Sequence, residues 1–173
     1  MSITSLTTAN VRGGTAGKIE AGDTITVTFS GQIDASTVCS GWTNGSSGAQ
    51  MSGATVSLSS ISGTNPNDLL TLLANPSGCT SFNFGSIDLG AAYYAPPGNS
   101  QGNSDILTFS NSSISYDGTA HKLLITLNGM SSPGSEPTVP SSTLTLNLSN
   151  LIKDTSGGSL TSYIATGSPT QQF

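Results

Sequence analysis

Charged residues are scarce in this 173-residue chain, where they make up 8% of the sequence, about a third of the usual share. Four are basic and nine are acidic, which gives a net charge of −5. A protein that binds nucleic acid needs several clustered Lys or Arg side chains to displace phosphate counterions. The basic residues are instead scattered, so the sequence argues against nucleic-acid binding: Arg12, Lys18, Lys122 and Lys153.

Long apolar runs are also missing. No stretch reaches the roughly 20 apolar residues that a membrane-spanning helix needs, so we expect no membrane span. The first ten residues lack the basic start and apolar segment of a signal peptide. We therefore expect a chain that has either lost such a peptide or reaches its place by assembly, as phage structural proteins do.

Groups that could carry out catalysis are few. The single histidine, His121, has no motif around it, and the Gly-x-Ser-x-Gly, Walker and dinucleotide-binding patterns are absent. The acids are spread singly through turns, with only Glu20 and Asp23 close together. We predict no enzyme, no cofactor and no metal. Two alternatives stay open: a calcium site built from separate loops, for instance with Asp23 or Asp154, and a Lys–Asn crosslink involving Lys122.

Cysteine occurs only twice, at Cys39 and Cys79. This spacing is far too long for a C-x-x-C redox or metal site, and no histidine lies nearby as a base or second ligand. A structural disulfide is therefore the favoured interpretation, with two buried free thiols as the alternative. A disulfide would favour an oxidising compartment.

Serine, threonine, glycine and asparagine are abundant, and β-branched residues alternate with polar ones. Alternation places every second side chain on one face of a strand. It is clearest at 24–29, 122–127 and 143–148 and predicts shorter strands at 3–7, 54–60, 69–74, 82–87, 106–110, 113–116 and 162–166.

Turn-forming pairs such as Asn44-Gly45, Asp117-Gly118 and Asn128-Gly129 separate these strands. Many short strands at such intervals predict an all-β fold, namely an immunoglobulin-like antiparallel β-sandwich with extended polar loops. We expect one domain over 1–173, with surface loops at 44–53 and 95–103. Segment 67–73 is rich in leucine and could be helical, but a strand is preferred.

Aromatic residues are few, at 6% of the chain. Trp42 follows Cys39 by three residues, and a tryptophan beside a disulfide is a common core residue of immunoglobulin-like folds. An exposed ring that binds a ligand is the alternative for Trp42. Tyr93 and Tyr94, which precede Pro96-Pro97, are the stronger candidates for an exposed aromatic contact.

The segment Gly22-Asp23-Thr24-Ile25-Thr26-Val27-Thr28-Phe29-Ser30, followed by Ile33-Asp34-Ala35-Ser36-Thr37, resembles the opening of bacterial immunoglobulin-like surface domains of the SbsA-like or Big type. Residues 13–21 and Gly41-Trp42 are similar to a variant found in actinobacterial secreted proteins and phage structural proteins. The resemblance runs from about residue 8 to residue 173. At 152–158 the chain departs from the Asp-x-Ala-Gly-Asn pattern usual there. The resemblance implies a fold and a surface location, and carries over no catalytic residue.

These observations predict a non-enzymatic structural or adhesive module, located extracellularly on a bacterial surface or on a virion as a capsid or tail decoration. Its expected partners are other surface or virion proteins. Self-association through edge strands is also expected, with the segment 2–8 as the candidate edge. The alternative function is a carbohydrate-binding module that holds surface glycans with exposed aromatic side chains.

Overall fold

The computed structural model describes residues 1–43, 50–60, 67–90, 104–131, 141–161, 163–164 and 173. In this part of the chain the protein is all-β, with one short helix, α1 (Ala35–Val38). The strands are β1 (Ile3–Ala9), β2 (Thr24–Phe29), β3 (Met51–Ser60), β4 (Asp68–Ala74), β5 (Gly85–Asp88), β6 (Ser104–Asp117), β7 (Lys122–Thr126), β8 (Thr145–Leu148) and β9 (Tyr163–Ile164).

The described strands form a single antiparallel sheet in the order β1-β2-β7-β6-β3-β4-β5-β8-β9. The sheet curls until its two ends meet. At this point the Tyr163 hydroxyl on β9 donates to the Thr4 carbonyl on β1 over 3.4 Å. The molecule is therefore nearly barrel-shaped. The all-β antiparallel prediction is confirmed, whereas the division of the strands into two sheets of a sandwich is not.

Two long strands explain why the sheet is continuous. β6 has 14 residues and β3 has 10, and they pair along most of their length. Their register shifts at three places, between Met51 and Ala54, between Ala54 and Val56, and between Leu58 and Ser59. Each shift of this kind bends a strand and increases its twist. β3 and β6 thus carry the sheet around the core without a break.

Alternation in the sequence sets which face of each strand is buried. In β2, Ile25, Val27 and Phe29 are buried while the intervening threonines are half-buried. β7 repeats the pattern, with Leu123 and Ile125 inside. These side chains join one continuous core inside the curled sheet. A small apolar cavity of about 20 Å³ lies where β2 and β7 face β4 and β5.

The predicted strands are observed with changes at their ends; of the one predicted at 162–166, residues 163–164 form β9, while 162 and 165–166 lie outside the described residues. Segment 67–73 is the strand β4, as preferred, and the strands predicted at 106–110 and 113–116 merge into β6. The loop predicted at 44–53 is wrong over its last residues, because Met51 opens β3; residues 44–49 lie outside the described residues. The helix α1 was not predicted. It begins after Asp34, whose side chain accepts the Ser36 amide, an N-cap bond.

Candidate functional site: the disulfide corner and the hydroxyl face

Cys39 and Cys79 form a disulfide with a Cα–Cα distance of 5.2 Å, so the predicted bridge is confirmed. Cys39 follows α1 directly, and Cys79 lies in the turn between β4 and β5. Both cysteines are buried, at 0% and 6% exposure. The bridge links two connections of the sheet whose cysteines are 40 residues apart. We call residues 39–42 and 75–81 the disulfide corner.

Hydrogen bonds to Ser40 hold the two halves of the disulfide corner together. The Ser40 hydroxyl accepts from the backbone amides of Thr80 and Ser81 over 2.8 and 3.2 Å. The Ser40 amide in turn donates to the Ser81 carbonyl over 3.1 Å. The Asn75 side-chain amide adds a bond to the Thr80 carbonyl. The corner is thus closed by polar contacts as well as by the covalent bond.

Met51 covers the disulfide. Its Sδ atom lies 3.3 Å from Cys39 Sγ and 3.2 Å from Cys79 Sγ. Met51 is half-buried, whereas both cysteines are buried, so it is the most exposed of the three sulfur-bearing side chains. No sequence pattern predicts this contact, because it depends on where β3 begins in three dimensions.

The Trp42 ring lies in the core, 3% exposed, and packs against Tyr116 with ring centroids 6.3 Å apart. It therefore presents no face for stacking on a ligand, and the predicted core position is the one observed. The Tyr116 hydroxyl accepts the buried backbone amide of Ile33 over 3.0 Å. Burial raises the pKa of Tyr116 above its ordinary value, and the nearby Asp117 charge adds to this, although the Ile33 bond acts in the opposite direction.

Asp23 is fully buried and holds the long loop between β1 and β2. Its carboxylate accepts the amides of Val11 over 2.8 Å and Glu20 over 2.6 Å. Burial raises the pKa of Asp23, because desolvation of the charge outweighs these two hydrogen bonds. In the same loop, the Glu20 carboxylate accepts the Thr15 amide. Asp23 is thus placed to order a loop from inside it.

Asp154 orders a second loop. Its Oδ1 atom accepts the amides of Ser156 and Gly158, each over 2.9 Å. These bonds, with that of Gly158 the stronger, hold the pKa of Asp154 below its ordinary value. The structure does not bring Asp154 and Asp23 into a common cluster. Among the described residues, no group of three His, Cys, Asp or Glu side chains is placed to hold a metal ion.

Of the remaining candidates, His121 and Lys122 are adjacent in the chain, and Lys153 belongs to a different segment. His121 is in the turn between β6 and β7, and its carbonyl accepts the Phe29 amide. The Lys122 side chain is exposed on β7, and the Lys153 ammonium donates to the Ser159 hydroxyl over 2.5 Å. Tyr93 and Tyr94, with the predicted loop at 95–103, lie outside the described residues.

The outward side of β1, β2, β7 and β6 is rich in hydroxyl groups. Three rows of paired residues cross these strands, and we call this surface the hydroxyl face. Most positions carry a hydroxyl, from Ser5, Thr7, Thr24, Thr26, Thr28, Ser113, Ser115 and Thr126. Thr7 is exposed, Ser113 is buried and the other six are half-buried. The others are Ala9, Lys122, Leu124 and Asp117. Its single cation and single anion sit across from each other, Lys122 opposite Asp117.

The first strand, the candidate edge for self-association, is contacted by the chain's own C-terminal residues. Tyr163 reaches the Thr4 carbonyl, and the Phe173 amide donates to the Thr8 hydroxyl over 3.2 Å. The Phe173 carbonyl accepts the Gly17 amide over 3.0 Å. Parts of this edge are therefore occupied within one copy of the chain.

Comparison of the chain with protein-family models, with curated proteins and with solved structures gives no match. In the part of the chain that the structure describes, no helix has the length and apolar character to cross a membrane.

Proposed function

We propose that this protein is a non-enzymatic structural or adhesive module, displayed on a bacterial surface or on a virion. The observation that carries the proposal is the hydroxyl face, a broad side of the curled sheet with one cation and one anion among many hydroxyls. Such a surface is wettable without a strong field of one sign, which suits a protein that contacts a neighbour through many weak polar bonds.

One internal arrangement supports a relationship to immunoglobulin-like surface domains. Trp42 lies in the core beside the disulfide, as the tryptophan of such domains does. The buried Tyr116 hydroxyl bonds to a backbone amide 83 residues away in the chain, whereas the tyrosine corner of those folds bonds to backbone a few residues upstream. In this interpretation the curled sheet is a variant of the immunoglobulin-like sandwich, in which β3 and β6 join the strands that form two separate sheets in those domains.

The disulfide supports a location outside the cytoplasm, because such bonds persist in oxidising compartments. The corner around it is closed by bonds to Ser40 and covered by Met51. A module exposed outside the cell gains resistance to proteolysis from a connection tied in this way, since cleavage requires local opening.

Immunogold electron microscopy tests the proposal directly. Antibodies raised against the full chain would be applied to intact cells of the source organism and to virus particles released from them. Gold on an intact cell surface or on a particle supports display. Gold that appears only after the cells are opened contradicts it.

Carbohydrate binding is the second candidate, and the hydroxyl face favours it as well, because sugars bond readily to hydroxyl groups. A pull-down of the full chain with cellulose, chitin and peptidoglycan measures the bound fraction for each. We expect the double variant Thr26→Val and Thr28→Val to bind less than the wild type. Thr119→Val, in the turn between β6 and β7, serves as the matched control. Equal binding by both variants, or no binding to any polysaccharide, would remove this candidate.

A further inference from the structure

Three sulfur atoms meet at the disulfide corner. Met51 Sδ is 3.3 Å from Cys39 Sγ and 3.2 Å from Cys79 Sγ, which is closer than ordinary contact between two sulfur atoms. The thioether is a soft, polarisable group, and its lone pairs face those of the disulfide. Crowding of lone pairs makes a thioether easier to oxidise, because the positive charge that develops on its sulfur is shared with the neighbours.

Backbone atoms form the walls around the thioether. A Cβ atom at Gly41 would lie 3.0 Å from Met51 Cε, and one at Gly78 would lie 3.5 Å from it. A Cβ at Gly41 would also overlap the Gly78 carbonyl oxygen. The slot therefore accepts the thioether because residue 41 is a glycine, whereas a Cβ at Gly78 would make ordinary contact with it.

We propose that Met51 is a sulfoxidation site and that its oxidation uncovers the Cys39–Cys79 disulfide. The oxidant is a hydroperoxide such as hydrogen peroxide. The peroxide O–O bond breaks, one oxygen forms the S=O bond with Met51 Sδ, and the other leaves as water. The sulfur loses two electrons and the peroxide gains two, so that no further reductant or oxidant is required.

The product is polar and larger than the thioether, so it leaves the slot. A thiolate reduces a disulfide by attacking one of its sulfur atoms, and access to that sulfur helps to set the rate. With Met51 in place, both Sγ atoms are shielded on the side that it covers. After oxidation that side opens, and we expect thiol reduction to become roughly tenfold faster because access is gained.

Peptide mapping by mass spectrometry after a timed hydrogen peroxide treatment tests the first half of the proposal. The chain contains its own comparison, because Met130 is half-buried like Met51, packs against the core and pairs with Phe109 rather than with the disulfide corner. We expect Met51 sulfoxide to form faster than Met130 sulfoxide. If Met130 reacts while Met51 does not, the proposal is overturned.

Reduction by dithiothreitol in the native protein tests the second half. The rate would be measured for the untreated and the peroxide-treated chain, with circular dichroism to verify that both are folded. Faster reduction after treatment is expected, and an unchanged rate would overturn the proposal. This comparison needs no substitution, so it does not depend on whether a variant folds.

Two variants assign the effect to Met51. Met51→Leu keeps an apolar cover without an oxidisable sulfur, so its reduction rate should not change on peroxide treatment. Met130→Leu is the matched control and should keep the full acceleration. If peroxide treatment accelerates disulfide reduction in Met51→Leu as strongly as in the wild type, Met51 is not the group that covers the disulfide, and the proposal fails.

Discussion

Asp23 is the residue whose burial matters most for the loop between β1 and β2. It is 0% exposed, and its two carboxylate oxygens each accept one backbone amide, from Val11 and Glu20. A buried amide that loses its acceptor costs about 1–3 kcal/mol. For the charged form, desolvation by burial outweighs these two hydrogen bonds, and the pKa of Asp23 is therefore raised.

Asp23→Ala removes both acceptors. We expect the free energy of unfolding to fall by about 2 kcal/mol, because two amides lose their bonds while the cost of burying a charge is relieved. Urea denaturation measures the change. Asp34→Ala is the control, since it removes the cap of the short helix α1 at a cost of about 1 kcal/mol. Equal losses from the two variants would show that burial of Asp23 adds nothing.

The pH dependence of stability should carry opposite signs at Asp23 and Asp154. A raised pKa means that the folded state holds the proton more tightly, so the contribution of Asp23 is full below its unfolded-state pKa. That contribution is lost as the pH rises through the folded-state pKa. The pKa of Asp154 is lowered, so its contribution is present above the unfolded-state pKa and is lost as the pH falls through the folded-state value.

Urea denaturation between pH 3 and pH 7 tests these signs with two variants. The stability difference between wild type and Asp23→Asn should decrease as the pH rises. The difference between wild type and Asp154→Asn should decrease as the pH falls. Differences that do not vary with pH would contradict the assignment of either carboxylate.

At the scale of the elements, the disulfide ties the end of α1 to the connection between β4 and β5. Bonds to Ser40 and the isolated bridge between Cys39 and Phe82 join the same two segments. The corner is therefore held in the folded state even without the covalent bond, and the bond's main effect falls on the unfolded chain.

The double variant Cys39→Ala and Cys79→Ala should still fold but with lower stability. The two cysteines are 40 residues apart in the chain. Without the disulfide, the unfolded chain regains the entropy of a loop of that length, which lowers the free energy of unfolding by about 4 kcal/mol. Thermal unfolding measures the loss. Chemical reduction of the wild type should give a similar value, and a loss below about 1 kcal/mol in both would contradict an effect of the disulfide on the entropy of the unfolded chain.

Several elements were predictable because their cause is local. The strands β2 and β7 follow from alternation, and the turn after Asp117 follows from Asp117-Gly118. The helix α1 escaped prediction because it has one turn and no apolar period. The first residues of β3, beginning at Met51, were not predicted as strand, because they belong to the sheet only through their pairing with β6.

The whole molecule depends on closure between the first and last strands of the sheet. β9 has two residues, and its Tyr163 hydroxyl reaches the Thr4 carbonyl. An unpaired strand edge is a surface on which a second copy can add a strand. Closure within one copy therefore competes with self-association between copies.

Tyr163→Ala should weaken this closure and increase self-association. Light scattering over a range of concentrations measures the dimer fraction, which we expect to rise relative to the wild type because the edge of β1 becomes accessible. Ile164→Ala is the matched control, since Ile164 is 62% exposed. A dimer fraction that is the same for both variants would place the contact surface elsewhere.

Of the candidate site, the sequence predicted the disulfide and the core position of Trp42, but it left both open to alternatives. The separation of Cys39 from Cys79 says only that a metal motif is absent, and their pairing requires two loops to meet. The hydroxyl face was partly visible in the alternation of β2, whereas its extension over β1, β6 and β7 depends on strand order.

The sequence by itself determined the all-β class, the buried face of each regular strand and the low charge of the surface, because alternation and composition are local properties. Tertiary structure decided that the strands form one curled sheet, because the register shifts between β3 and β6 arise from pairing. It also decided that Met51 covers the disulfide and that Asp23 is buried. Those positions result from contacts between segments far apart in the chain, which no local pattern encodes.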